Sequence, residues 1–192
     1  MARRVRRLFR GGRIVDVGGG HGLLGQVMLL LDDSSPCALV VDKTLPASSA
    51  KVHDGLVRAW PRISGRVRFA AAALEDVEIL TTDVVVSSHA CGNLTDQILD
   101  RASAAHARVA VLPCCHDLAT CDAGALSGWI EKPVAIDVIR AMRLEQRGYR
   151  VRTQTIPASI TPKNRLLLGE PIGTANRTPA SSSDRTTRGS GG

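Results

Sequence analysis

Short runs of aliphatic and β-branched residues recur along the chain, separated by stretches whose apolar positions repeat every three or four residues. The runs RIVDV (13–17), ALVVD (38–42), RVRFA (66–70), DVVVSS (83–88) and RVAVLP (108–113) have the nearly unbroken apolar character of buried strands. Between them, Leu23, Val27, Leu30 and Leu31 share one helical face, and Leu94, Ile98, Leu99 and Ala102 another, behind Asn93 as a helix cap. This β-α-β-α order predicts a parallel sheet with right-handed crossovers. A longer helix fits 133–147, with Pro133 in its first turn, Val134, Val138, Ala141 and Met142 on its buried face and Gly148 as its stop. The last two runs, YRVRTQTIP (149–157) and NRLLLG (164–169), lie too close together for a helical crossover and should pair as an antiparallel hairpin. The expected fold is α/β, a doubly wound seven-stranded sheet, mostly parallel, with an antiparallel C-terminal hairpin. Residues 1–12 read as a basic arm, 13–169 as the domain, and 170–192, rich in Ser, Thr, Gly, Pro and Arg with little to bury, as a disordered tail.

Where the first strand meets the first crossover helix stands VDVGGGHGLLG (15–25). Glycines there permit positive φ and let a ligand approach the backbone, while the helix start offers free N–H groups. Gly20, Gly22 and Gly25 satisfy a dinucleotide G-x-G-x-x-G, and Asp16, Gly18, Gly20 and Gly22 satisfy D-x-G-x-G-x-G. The acid separates the two readings: a carboxylate at the strand end repels a pyrophosphate, but it can pair the ammonium of an amino-acid cofactor, directly or through water. S-adenosylmethionine has that ammonium. Asp42, closing the second strand, is placed to accept two ribose hydroxyls, and Glu75 and Asp76, after the third, to accept from an adenine amine.

The fourth and fifth strands are followed by SSHACGNLTD (87–96) and PCCHDLATC (113–121). Ligands of open α/β sheets bind beyond the carboxyl ends of the strands, so His89, Cys91, Cys114, Cys115 and His116 are expected near one mouth. Ser88 belongs with the cofactor set, and His89 is the first choice for a base or a substrate-positioning group. Cys114 is either a nucleophile, which needs an electropositive, exposed thiol, or a small residue packed at a crowded strand end. A zinc site could draw on the same cysteines and histidines, but there is no C-x-x-C pair and adjacent cysteines seldom chelate one tetrahedral ion, so no metal is expected.

Charge and composition alter this picture little. The 192 residues carry a formal charge of +7, and six arginines fall within the first thirteen positions, which favours a polyanionic partner such as RNA. Five aromatic residues make no stacking platform, so RNA contact would run through phosphates. No run of eighteen apolar residues points to a membrane, and an odd count of five cysteines without a secretory signal fits reduced thiols in the cytoplasm.

In order, IVDVGGGHGLLG, VVD, SSHACGNLTDQIL, VLPCCHD and IPASITPKNRLLLG resemble the class I methyltransferase domain family that includes the tRNA ribose 2'-O-methyltransferases of the CHHC-zinc-finger type. The resemblance spans about residues 13–169. It implies a Rossmann-like fold, S-adenosylmethionine held through Asp16, Gly18, Gly20, Gly22 and Asp42, and the H-A-C-G and P-C-C-H segments at the active-site mouth. The sequence departs from the tRNA enzymes in lacking the CHHC finger, and it shows no helix ahead of the first strand. The expected activity is methyl transfer, with an RNA ribose hydroxyl or base as acceptor. The rival expectation is a non-catalytic member of the same fold that binds RNA or a protein partner.

Overall fold

The computed structural model describes residues 1–173. Its twelve regular elements are α1 (Ala2–Leu8), β1 (Ile14–Val17), α2 (Leu23–Leu31), β2 (Ala38–Asp42), α3 (Ser49–Ala59), β3 (Val67–Ala71), β4 (Val84–Ser87), α4 (Asn93–Ala104), β5 (Arg108–Val111), α5 (Lys132–Gln146), β6 (Tyr149–Thr155) and β7 (Arg165–Pro171). Seven strands form one sheet in the order β3-β2-β1-β4-β5-β7-β6, so the chain reverses direction across the sheet between β1 and β4. The first five strands pair in parallel, and β7 runs antiparallel to both β5 and β6.

Alternation along each strand feeds two separate cores, one per face of the sheet. Val15, Val17, Val85, Val109, Val111 and Leu167 point to the face covered by α4 and α5, where Ile98, Leu99 and Leu144 meet them. Ile14, Val84, Val86, Ala110, Leu166 and Leu168 point to the other face, against Met28 and Leu29 of α2 and against Val5 and Phe9. Burial on both sides explains why β1, apart from Asp16, and β4 and the body of β5 read as apolar runs.

Four expectations change. The amino terminus is not a solvated arm: α1 packs on α2, and although Arg3, Arg7 and Arg10 are exposed, Val5, Arg6 and Phe9 are buried. A helix therefore does precede the first strand. The guanidinium of Arg6 donates to the Met28 and Phe9 carbonyls and to Ser35 Oγ (2.8 Å), and lies 3.3 Å from Asp32. Burial pulls its pKa down to about 10. On α5 the buried face is Ala135, Ile136, Arg140 and Leu144, whereas Met142 is exposed and Val134, Val138 and Ala141 are half-buried. Asn93 is the first residue of α4 and makes no cap bond; Gly92, at φ +55°, takes the cap position. Finally, β7 continues through Glu170 and Pro171, which pair with Arg150 and Tyr149, so the domain outlasts the expected boundary at 169. Residues 174–192 of the expected tail lie outside the described residues.

Candidate active site

The carboxyl ends of β1 and β2 open on a cleft of about 390 Å³ lined by Val17, Gly18, Asp42, Leu74, Cys91 and Leu94, among others. A second cavity of about 240 Å³ is lined by Gly18, Gly19, Gly20, His21, Ser88 and His89. Gly18 belongs to both, so the glycine loop is the partition between them.

The loop is held from below. Gly18 and Gly19 donate to the Val41 carbonyl, Gly22 donates to Gly19, and Ser49 Oγ donates to the Gly20 carbonyl. Gly18, Gly20 and Gly22 all have positive φ, but for different uses. A Cβ on Gly22 would sit 2.6 Å from Val40 Cγ2, so this glycine exists for packing against β2. On Gly18 or Gly20 a Cβ would meet only ordinary van der Waals neighbours, none nearer than 3.7 Å, and both glycines line a cavity.

Asp16 is 1% exposed. Its Oδ2 accepts from the Gly25 N–H (2.8 Å), one of the free donors at the start of α2, and its Oδ1 is buried with no partner. Desolvation, opposed by the Gly25 bond and reinforced by Asp42, raises its pKa to about 7. Asp16 lies buried beneath the loop and lines neither cavity. Asp42 is half-buried in the cleft wall, with Oδ2 accepting from the Gly20 N–H (3.0 Å). Glu75 and Asp76 are exposed on a 3₁₀ turn beyond β3, where Ala72 and the buried Leu74 line the cleft instead.

At the end of β4, Ser87 is fully buried with an unpartnered Oγ, while Ser88 and the exposed His89 face the smaller cavity. The next turn carries Cys91 into the cleft wall, with its Sγ 3.1 Å from that of Cys114. Cys115 joins them: the three sulfurs of Cys91, Cys114 and Cys115 lie within 4.8 Å of one another. Burial and the two neighbouring thiols push Cys114 up to about 12, the opposite of what a thiolate nucleophile needs. His116 leaves the mouth altogether, its side chain 3% exposed and its Nε2 2.8 Å from Asp137. His53 bonds Gln26 and meets Phe69 edge-on, whereas His106 is exposed.

Sequence reasoning missed Arg140. Fully buried on α5, it donates to both oxygens of Asp96, to Asp137 and to the Gly92 carbonyl, and so braces the turn that carries Cys91. The signal was an arginine in register with Ile136 and Leu144 on one helical face. A further cavity of about 410 Å³, between α5 and the β6-β7 hairpin, matches the cleft in size but borders none of the glycine loop.

Residues 3–121, more than half of the chain, match the family model described as a methyltransferase domain. A Xenopus laevis protein described as glutathione S-transferase C-terminal domain-containing protein is 26% identical over 201 residues. The match covers 84% of this chain and 31% of the relative, so the chain spans about a third of that protein's length. Among solved structures, an O-methyltransferase family protein from Burkholderia thailandensis superposes with a TM-score of 0.54 at 18% identity, covering 87% of this chain and 52% of that one. A SAM-dependent O-methyltransferase from Thermotoga maritima gives 0.55 at 14%, covering 91% and 64%. M. capricolum TrmK in complex with S-adenosylhomocysteine gives 0.50 at 14%, covering 88% and 65%. At these identities the structural likeness establishes the fold alone. Joined to the glycine-loop cleft, the family match over 3–121 makes this chain a member of the methyltransferase domain family.

Proposed function

We propose that the chain is an S-adenosylmethionine-dependent methyltransferase that takes the nucleoside part of the cofactor in the larger cavity and presents the methyl group toward Ser88 and His89. The observation that carries this reading is the pair of cavities meeting at Gly18, one holding Asp42 and the other His89. The residues fit such a ligand. Gly18 and Gly20 line the cavities without side chains and so let its chain approach the backbone, Asp42 keeps lone pairs for ribose hydroxyls, and Leu74 and Leu94 give apolar walls to a base. Ser87 Oγ and Asp16 Oδ1, both buried without partners, leave polar capacity beneath the loop. TrmK, of the same fold, is described with the demethylated cofactor product.

When bound, the cofactor supplies an already electrophilic methyl group, so the protein's share is alignment and exclusion of water. The loop and Asp42 hold the donor. His89, exposed at the rim of the smaller cavity, positions the acceptor and takes its proton. Cys114 is not assigned as a nucleophile, because its surroundings hold it protonated. For the acceptor we infer RNA, at a ribose hydroxyl or a base, on the strength of the +7 charge and of Arg3, Arg7 and Arg10 exposed beside the fold. The kinship with the CHHC-type tRNA enzymes belongs to the same proposal. Transfer of labelled methyl groups from the cofactor into fractionated RNA and protein tests it. Label in RNA that falls at least about tenfold in His89→Ala, with cofactor affinity unchanged, is the expected result, and label in protein alone overturns the RNA assignment.

A further inference from the structure

Three thiols meet at the rim of the cleft, brought from two different strand ends. Cys91 comes from the turn after β4, and Cys114 and Cys115 from the irregular segment that follows β5. In an extended strand, neighbouring side chains point to opposite faces, which is why adjacent cysteines seldom share a ligand. Here β5 has ended at Val111, and the chain leaves the strand before reaching the pair, so both sulfurs converge on Cys91.

We propose that Cys91, Cys114 and Cys115 form a three-thiolate site for a soft divalent cation, with zinc as the type ion. Zinc–sulfur bonds of about 2.3 Å at tetrahedral angles set the sulfurs roughly 3.8 Å apart. Mutual spacing within 4.8 Å needs only side-chain adjustment to reach that figure. The third sulfur distinguishes this arrangement from a simple dithiol: a disulfide between Cys91 and Cys114 has no use for Cys115, whereas a cation site requires it. Both loops are braced in advance. The Gly92 N–H donates to the Cys115 carbonyl (2.9 Å), which ties the two loops to each other, and Arg140 donates to the Gly92 carbonyl (3.1 Å). Cys121, which contacts Arg140 and Asp96, and Cys37, ahead of β2, stand outside the group.

Among the described residues no histidine or carboxylate joins the cluster. The fourth coordination place therefore falls to water or to an incoming ligand, the pattern of zinc sites that do chemistry and not of closed structural ones. Since Cys91 also lines the cofactor cleft, the ion would stand beside the bound donor.

The test is a Co²⁺ titration of the reduced 192-residue chain under anaerobic conditions, followed by displacement with Zn²⁺. One equivalent of Co²⁺ should produce intense thiolate-to-metal absorption with tetrahedral ligand-field bands. The affinity should fall by more than about 100-fold in Cys91→Ser and in Cys115→Ser, and stay unchanged in Cys37→Ser. Circular dichroism accompanies each variant, and because Cys115 is exposed its variant decides the matter if Cys91→Ser does not fold. Absence of the thiolate band in the folded wild type overturns the site, as does a band that survives Cys115→Ser. A Cys91–Cys114 disulfide in the air-exposed protein, with no metal uptake after its reduction, equally overturns it. None of these readouts depends on methyl transfer.

Discussion

Asp16 sets the need to hold the glycine loop against the cost of burying a carboxylate. Its folded pKa near 7 lies above the ordinary value of 3.8, so between those limits the native state holds a proton that the unfolded chain has lost. Stability should therefore fall as pH rises from about 4 to about 7, by at most about 4 kcal/mol, and level off above. Asp16→Asn keeps an oxygen for the Gly25 N–H and removes the titration, so urea unfolding at several pH values should show the slope flattened. An unchanged slope would assign it to another group. The glycines give a second contrast. Gly22→Ala forces a Cβ against Val40 and should lower the melting temperature markedly. Gly20→Ala, with only Pro46 near, should cost about 1 kcal/mol of stability while weakening the cofactor more. Comparable melting temperatures for the two variants would contradict this division of roles. From sequence all these glycines looked alike, because the letters do not say which side of the loop meets the sheet.

At the scale of elements, α1 and α5 show how an arginine can be structural. Replacing Arg6 with Met leaves the Met28 and Phe9 carbonyls without their donor, although Asp32 keeps bonds from Gly11, Arg10 and Ser34, so the loss should be about 3 kcal/mol, near the low end for a broken buried pair. Chemical denaturation measures it, and a loss under 1 kcal/mol would return α1 to the status of a loose arm. It follows that deleting residues 1–10 removes core residues Val5 and Phe9 along with charge. Single replacements of the exposed Arg3 and Arg7 are the cleaner probe of RNA binding, since Arg10 also donates to the buried Asp32. Arg140→Met should likewise loosen the Gly92 turn, visible as faster amide exchange over 90–96 than over α2. Uniform protection in both segments would contradict the brace. Neither role was legible in sequence: charge density hid the 3–4 spacing of Val5 and Phe9, and on α5 the apolar residues that stand half-exposed beside the hairpin drew attention from the face that is buried.

For the whole molecule the sequence said more. Runs buried on both faces predicted the parallel strands, and the short 158–163 link predicted the hairpin, because in each case one physical requirement dominates: backbone pairing in the first, chain length in the second. The meeting of Cys91 and Cys114 was legible, because both follow the ends of neighbouring strands, whereas the grouping of Cys115 with them and the turning of His116 toward Asp137 depend on the path of the loop after β5 and were not. No described helix is long and apolar enough to cross a membrane.

Gly18 and Asp42 bound the cleft in which the cofactor is proposed to lie. Isothermal titration of S-adenosylmethionine into the chain, beside Asp42→Ala, measures that most directly. One site per chain is predicted, with affinity reduced at least about tenfold in the variant, since lost bonds to ribose hydroxyls are worth about 1.5 kcal/mol or more. No binding to the folded wild type, or equal binding by the variant, would contradict it.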